Sequence, residues 1–228
     1  IILCPYFVNE GFPQLPQGWL KPTMEKVRAA GGIFIADEVQ PGFGRLGSHM
    51  WGYEWQDIVP DVVTLGKPMA NGHPVGGVVT RYEIMERFRN SFRYFNTFGG
   101  NPVSCAAAHA TLNEIRDLGL MPHAEAMGKH ALNRMNALAE KYEVIGDVRG
   151  KGLLFGAEMV LDRNTKEPAI DYTDRLINRM KDEGIILSKL GRHKNSLKIR
   201  PPLVISQDQL DLMFDTLDQV MAQEPVHV

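Results

Sequence analysis

The stretch that decides the fold is "DVVTLGKPMANGHPVGGVVT", residues 61–80. Residues 61–65 predict a short buried strand, because three of the five are apolar and two of these are β-branched. A glycine ends the strand, and Lys67 follows it directly, ahead of Pro68. A turn rich in glycine and proline then leads to a second predicted strand over residues 75–80. A lysine therefore stands at the end of a buried strand, where a cation is unusual.

Helical and strand patterns alternate on both sides of this stretch. Upstream, a helical pattern over residues 19–30 precedes a buried strand, "IFIADE", over residues 33–38. Downstream, a short helix is predicted over residues 81–90. Short connections between helices and strands are typical of βαβ units, so we predict an α/β fold with a mainly parallel sheet.

The pattern changes in the second half of the chain. After two long helical segments, residues 144–160 predict two strands joined by a glycine-rich turn, and a closing helix is predicted over residues 207–221. These elements indicate a smaller C-terminal α+β domain. We therefore expect two domains, residues 1–115 as part of a larger domain and residues 116–228 as the smaller one.

Composition and charge exclude several classes of function. Hydrophobic residues make up 44% of the chain and charged residues 23%, as in ordinary soluble proteins. A formal net charge of −2, without a basic cluster, gives no basis for binding nucleic acid. No apolar run approaches the roughly 20 residues that span a bilayer, so no membrane partner is expected. Cys4 and Cys105 lie far apart, which favours a reducing cytoplasm over a disulfide framework or a zinc site.

Two acids, Asp37 and Glu38, end the strand at residues 33–38. Ligands of open parallel sheets bind at the carboxyl ends of strands, so Asp37 and Lys67 can face one crevice. Desolvation there lowers the pKa of a lysine, as a Schiff-base lysine requires, and a carboxylate suits a pyridinium nitrogen. The pair outlines a pyridoxal phosphate site, yet by spacing alone it equally allows a buried salt bridge. More often than either of these, acids in this position are exposed to solvent or cap the next secondary-structure element.

A third segment, "YFNTFGGNPVSCAAAHA" over residues 94–110, joins a polar loop to a helix that begins with proline. Its backbone N–H groups, the Thr97 hydroxyl and the helix N-terminus can together bind an anion. The commoner use of such residues is a tight turn capped by asparagine and glycine.

Together these segments resemble a known family. "FIADEVQPGFGR" (34–45), "PDVVTLGKPMANGHPVGG" (60–77) and "FNTFGGNPVSCAAA" (95–108) occur in the order and spacing of the class III (omega-type) aminotransferases, which are pyridoxal phosphate enzymes of fold type I. "VRGKGLLFGAEM" (148–159) and "LKIRPPLVISQDQLD" (197–211) are similar to the C-terminal domain of that family.

The resemblance implies a role for individual residues around the cofactor ring. Lys67 corresponds to the lysine that forms a Schiff base with pyridoxal 5'-phosphate and moves a proton between substrate and cofactor. Asp37 corresponds to the partner of the pyridine nitrogen. Val39 corresponds to the apolar residue packed under the ring, and Gln40 to the amide near its phenolic oxygen.

Two further correspondences concern the second subunit and the substrate. Thr97 corresponds to a hydroxyl that reaches the cofactor phosphate of the neighbouring subunit, which implies a homodimer. Arg200, in "KIRPPL", corresponds to the arginine that binds the substrate carboxylate by a bidentate contact. The other interpretation of Arg200 is a surface arginine at a strand end.

The resemblance implies that the protein transfers an amino group between an amine or amino acid and a keto acid. The wording "GKPMANGHPV" is also close to phospholyases that eliminate phosphate from phosphoethanolamine or phosphohydroxylysine. Family members are longer than this chain, and the missing half, with most of the phosphate-binding residues, is expected before Ile1. A third interpretation is therefore an inactive, truncated dimerisation module.

Overall fold

A computed structural model describes residues 1–226, which divide into two compact units. The first unit comprises residues 1–6, 15–44 and 49–121, and the second comprises residues 7–14, 45–48 and those from Pro122 onward. Two short segments of the N-terminal half therefore belong to the second unit. The contiguous domain boundary at residues 115 and 116 stays a prediction.

The first unit contains a four-stranded sheet and its helices. Its elements are β1 (Ile2–Leu3), α1 (Lys21–Ala29), β2 (Ile35–Asp37), α2 (Gly52–Trp55), β3 (Val62–Leu65), a 3-10 helix (Lys67–Ala70), β4 (Gly77–Thr80), α3 (Tyr82–Ser91) and α4 (Pro102–Asp117). The strand order is β1-β2-β3-β4. The first three strands are parallel, as the alternation of helix and strand predicts, whereas β4 is antiparallel to β3. The strand predicted over 75–80 is antiparallel because a short connection returns the chain along β3.

Asp61 fixes the start of β3. Its carboxylate is 1% exposed and accepts hydrogen bonds from Arg28 Nη2 at 2.9 Å, Arg81 Nη2 at 2.8 Å and Phe34 N at 2.8 Å. Burial acts to raise the pKa of Asp61, but these hydrogen bonds and the two guanidinium charges hold it below its ordinary value. One carboxylate thus joins α1, the chain before β2, and the residue that follows β4.

The second unit contains an antiparallel sheet covered by helices. Its elements are α5 (Leu120–Lys141), whose first two residues belong to the first unit, β5 (Ile145–Lys151), β6 (Leu154–Asp162), β7 (Glu167–Pro168), α6 (Ile170–Asp182), β8 (Ser188–Leu190), β9 (Ser196–Lys198) and α7 (Gln207–Gln223). The strand order is β5-β6-β9-β8, with β7 paired to β6. This is the α+β arrangement that the sequence predicts.

The second unit has one continuous hydrophobic core. Its members are mostly apolar side chains of α5, α6 and α7 against β5, β6 and β9, among them Met135, Phe155, Leu176 and Phe214, all fully buried. The rings of Phe155 and Phe214 stack with their centroids 6.3 Å apart. No helix within residues 1–226 combines the length and apolar character needed to cross a bilayer.

Candidate active site

The carboxyl ends of β2 and β3 lie side by side. Asp37, the last residue of β2, pairs in register with Thr64 of β3, and Glu38 N donates to Thr64 O at 3.0 Å. Lys67 begins the 3-10 helix three residues beyond Thr64. The predicted juxtaposition of the Asp37 and Lys67 strand ends is therefore present in the first unit.

The backbone of Lys67 is strained. Its φ is 39°, in the left-handed region that side chains other than glycine rarely adopt. Pro68 follows it, and Met69 N closes the helical turn by donating to Gly66 O at 3.0 Å. The turn therefore holds Lys67 in an uncommon main-chain conformation directly after the strand.

The Lys67 side chain is exposed and makes no ion pair or hydrogen bond within residues 1–226. The described residues leave this strand end open to solvent, and desolvation of Lys67 stays a prediction. The alternative of a buried salt bridge with Asp37 is wrong for this chain, since no ion pair joins the two side chains within residues 1–226. The amine is thus not committed to a structural contact.

Asp37 and Val39 lie close to the lysine turn. Asp37 is half-buried, and its Oδ1 accepts a hydrogen bond from Val39 N at 3.1 Å, whereas no described residue donates to Oδ2. A Cβ added at Gly66 would lie 3.7 Å from Val39 Cγ2, so the valine side chain packs beside the residue that precedes Lys67. Gln40, the next predicted site residue, is half-buried.

Glu38 has a structural role. Its side chain is 0% exposed, and its two carboxyl oxygens accept hydrogen bonds from Gly52 N and Tyr53 N, each at 2.7 Å. Burial raises the pKa of Glu38 to about 7, and the two backbone hydrogen bonds oppose this rise. Of the two adjacent acids, Glu38 therefore caps the next helical turn, as the alternative interpretation of such acids predicts, and Asp37 retains a free oxygen.

A histidine that sequence reasoning missed connects the lysine turn to α4. His73 Nε2 lies 2.8 Å from Ser104 Oγ, and α4 packs against the 3-10 helix. Asn101 caps α4 by accepting from Ser104 N at 2.9 Å, and its side-chain amide donates to Ser104 Oγ at 3.0 Å. The only signal for His73 in the sequence is its place in the turn "NGHP", which does not specify a partner.

The loop that carries Thr97 is a tight turn built on Asn96. The side-chain oxygen of Asn96 accepts hydrogen bonds from Phe98 N at 3.1 Å and Gly99 N at 2.9 Å. Thr97 is exposed, and Phe95 and Phe98 are 85% and 80% exposed. The predicted turn is present, and its hydroxyl is accessible.

Arg200 belongs to the second unit. It follows Ile199, which forms a β-bridge with Phe155, and its side chain is exposed at a largely apolar cleft of about 490 Å³.

Sequence reasoning missed Arg45, whose Nη1 donates to Leu153 O at 3.0 Å and to Pro201 O at 2.8 Å. Burial, and then the charge of Arg200, lower the pKa of Arg45 to about 10. Its place in the loop "PGFGRLG" gave no sign of these contacts.

The first unit suits pyridoxal 5'-phosphate better than a metal ion. Within residues 1–226, no group of three or more His, Cys, Asp and Glu side chains is arranged to bind a metal. An uncommitted lysine amine, a carboxylate with a free oxygen and an apolar side chain beside them match the groups that a pyridinium cofactor needs.

Comparison with known proteins identifies the class. The profile of the family described as "Aminotransferase class-III" matches residues 1–221. The chain therefore belongs to the class III aminotransferases, and its fold is that of these pyridoxal-phosphate-dependent enzymes.

The names of individual relatives describe two kinds of activity. The chain is 45% identical over 198 residues to the alanine–glyoxylate aminotransferase 2-like protein of Drosophila melanogaster, covering 86% of this chain and 40% of that one. It is 43% identical, with a TM-score of 0.94, to an Arthrobacter phospholyase solved with phosphoethanolamine, covering 98% and 53% of the two chains. A taurine:2-oxoglutarate aminotransferase of Bifidobacterium kashiwanohense, solved with PLP and glutamate, is 26% identical with a TM-score of 0.88, covering 98% and 51%. The chain thus spans about half the length of the proteins it resembles.

Proposed function

We propose that the protein to which this chain belongs is a pyridoxal-phosphate-dependent aminotransferase that moves an amino group between an amine or amino acid and a keto acid. The observation that carries the proposal is the uncommitted Lys67 at the end of β3, beside Asp37 at the end of β2. Membership of the class III aminotransferases supports it.

Each predicted cofactor-binding residue near the lysine turn has a proposed role. The bound cofactor supplies a ring that withdraws electrons from the substrate carbon. Lys67 Nζ would hold the cofactor covalently and would then carry the proton that leaves the substrate carbon. Asp37 would keep a proton on the pyridine nitrogen through its free oxygen, Val39 would pack against the ring, and Gln40 would lie near its phenolic oxygen.

Arg200 is proposed to bind the carboxylate of the amino acid or keto acid, since a guanidinium forms two parallel hydrogen bonds with a carboxylate. Its exposed side chain, at the edge of an apolar cleft, supports this assignment. An amine without a carboxylate makes no use of this contact.

A homodimer is proposed, in which Thr97 of one protomer reaches the cofactor phosphate of its partner. The exposed hydroxyl between exposed Phe95 and Phe98 supports this, because such aromatic residues are enriched at protein interfaces.

Sedimentation of the full-length protein tests the dimer. In mixed dimers of a Lys67→Ala protomer and a Thr97→Ala protomer, we expect one of the two cofactor sites to have both residues intact, and hence partial activity. Activity no higher than that of the parent variants would contradict the arrangement.

Reduction with borohydride in the presence of pyridoxal phosphate, followed by peptide mapping, tests the central assignment. We expect the reduced cofactor on Lys67 in the full-length protein. In the Lys67→Ala variant, both the label and the visible absorbance band should be lost. A labelled lysine elsewhere, or continued turnover of amines by Lys67→Ala, would overturn the proposal.

The second candidate function is elimination of phosphate from a phosphorylated amine. The TM-score of 0.94 with the Arthrobacter phospholyase favours it. Release of inorganic phosphate from phosphoethanolamine without any keto acid would identify this activity. Transfer of an amino group to a keto acid, without phosphate release, would identify the aminotransferase.

The third candidate is a non-catalytic dimerisation module, and it concerns the 228-residue chain alone. A folded chain that takes up no cofactor would support it, whereas a borohydride label on Lys67 in this chain would exclude it. A reducing compartment such as the cytoplasm also stays a prediction; Cys4 and Cys105, which form no disulfide within residues 1–226, are compatible with it.

A further inference from the structure

The segment that carries Arg200 lacks the usual means of fixing a strand end. Ile199 exchanges two backbone hydrogen bonds with Phe155, at 2.8 Å and 3.1 Å, and the ladder stops there. Pro201 and Pro202 follow Arg200 and have no N–H group with which to continue it. A group from outside the sheet must therefore hold the chain after Arg200.

Arg45 supplies that group from a segment that is itself fixed. Its main-chain oxygen accepts from Leu153 N at 3.0 Å, and its Nη1 donates back to Leu153 O at 3.0 Å. The same Nη1 donates to Pro201 O at 2.8 Å. The guanidinium therefore links the carbonyl next to Arg200 to the turn between β5 and β6.

The packing of this turn leaves Arg45 little freedom. A Cβ added to Gly152 would lie 2.5 Å from Arg45 O, so only glycine allows the two segments to approach this closely. Within residues 1–226, Arg45 has no carboxylate partner, although a partly desolvated cation near Arg200 is electrostatically unfavourable. A shorter neutral side chain would avoid this cost but would not reach both carbonyl groups. Arg45 therefore serves to restrain the position of the Pro201 carbonyl.

We propose that Arg45 is a positioning residue, which fixes the Pro201 carbonyl and thereby the direction in which Arg200 presents its guanidinium to a substrate carboxylate. The inference rests on the proposed function, in which Arg200 binds that carboxylate. Arg45 itself acts through the main chain and makes no substrate contact in this proposal.

The test compares two amine donors in the full-length protein loaded with pyridoxal phosphate. Alanine carries a carboxylate, and isopropylamine has a methyl group in its place. Single-turnover reaction with each donor, without keto acid, is followed by the absorbance of the cofactor. In Arg45→Met we expect the apparent dissociation constant for alanine to rise about tenfold or more, because small displacements of a binding group are costly. The constant for isopropylamine should change less than about twofold.

Arg45→Lys and Arg163→Met are the comparison variants. Lysine keeps the charge, but its side chain is one bond shorter than that of arginine and its amine reaches the two carbonyls less well, so a smaller rise, again confined to alanine, is expected. Arg163 also donates to backbone carbonyls of the second unit, including Tyr142 O at 3.1 Å, but far along the chain from Arg200. Arg163→Met should leave both donors unchanged. Equal losses for alanine and isopropylamine in Arg45→Met and in Arg45→Lys would mean a merely structural role and would overturn the inference.

A double-mutant cycle separates this inference from the proposed function. If Arg45 acts through Arg200, then Arg45→Met adds no further loss for alanine in an Arg200→Met background. If Arg200→Met itself does not discriminate between the donors, the Arg200 assignment fails and the inference fails with it. Borohydride labelling of Lys67 would still report separately on the proposed chemistry.

Amide hydrogen exchange tests the restraint on this segment without measuring catalysis. In Arg45→Met and Arg45→Lys, the amides of residues 203–205 should exchange faster than in the unmodified protein, and in Arg163→Met they should not. Unchanged exchange in both Arg45 variants would contradict the restraint on this segment.

Discussion

At the scale of single residues, Asp37 and Glu38 show how adjacent acids acquire different roles. Glu38 is fully buried against the backbone of residues 52 and 53, whereas Asp37 keeps an oxygen free at the strand end. The sequence places both acids at the end of a strand but does not say which main-chain groups will meet them. Those groups are the first two N–H groups of α2, 14 and 15 positions away along the chain.

We predict that Glu38 makes stability fall as the pH rises from about 4.3, its ordinary pKa, to about 7. Its pKa in the folded protein is raised, so the folded state keeps a proton that the unfolded state has released over this range. Urea unfolding at pH 5, 6, 7 and 8 measures the effect.

The Glu38→Gln variant should show a flatter dependence over this range, since glutamine does not ionise. At pH 5 the variant should be less stable by about 1 kcal/mol, because its NH₂ group faces a backbone N–H. A slope unchanged in Glu38→Gln would show that other groups cause the dependence. Glu25→Gln, a change at an exposed position of α1, serves as control.

At the scale of elements, two features after β3 shape the surroundings of Lys67. The chain forms a 3-10 helix over Lys67–Ala70, ahead of the predicted turn, and the next strand is antiparallel. Neither follows from apolar periodicity, because four-residue elements are too short to show a period. The contact between His73 and Ser104 then holds this connection against α4.

We predict that the His73–Ser104 contact contributes about 1 kcal/mol to the stability of the first unit. Urea unfolding of His73→Ala, Ser104→Ala and the double variant gives the coupling free energy directly. His109→Ala, on the exposed side of α4, is the matched control and should have little effect. A coupling energy near zero would mean that the two side chains are close but do not stabilise each other.

At the scale of the whole molecule, the two units differ in how well they bury apolar side chains. The second unit has a continuous core, whereas α3 of the first unit has no buried residue. The aromatic residues in and after α3 are exposed: Tyr82, Phe88, Phe92, Tyr94, Phe95 and Phe98. Exposed patches of this kind mark sites of protein contact.

We predict that amide hydrogen exchange in the isolated 228-residue chain is slow in β6 and α5 and fast in α3, because protection follows buried packing. Mass spectrometry of exchanged peptides measures it. If the full-length protein forms the proposed homodimer, the exchange of α3 peptides should be slower there, and the exchange of β6 should be unchanged. Equal protection of α3 and β6 in the isolated chain would contradict this picture.

Much of the fold was predictable because it depends on local pattern. The buried strand before Asp37 and the long helices of the second half are marked by apolar periodicity and by glycine or proline at their ends. The neighbouring positions of the strand ends that carry Asp37 and Lys67 followed from the rule for parallel strands. Three features were not predictable, since each depends on how distant parts of the chain pack. They are the open surroundings of Lys67, the role of Arg45, and the assignment of residues 7–14 and 45–48 to the second unit.

The left-handed backbone of Lys67 has a consequence for how this segment evolves. A residue other than glycine in this conformation costs roughly 1 kcal/mol or more, so natural selection for stability alone would favour glycine at this position. Persistence of lysine here among descendants of the gene would therefore record selection for chemistry. A copy of the gene released from that selection should lose the lysine early, without harm to its fold.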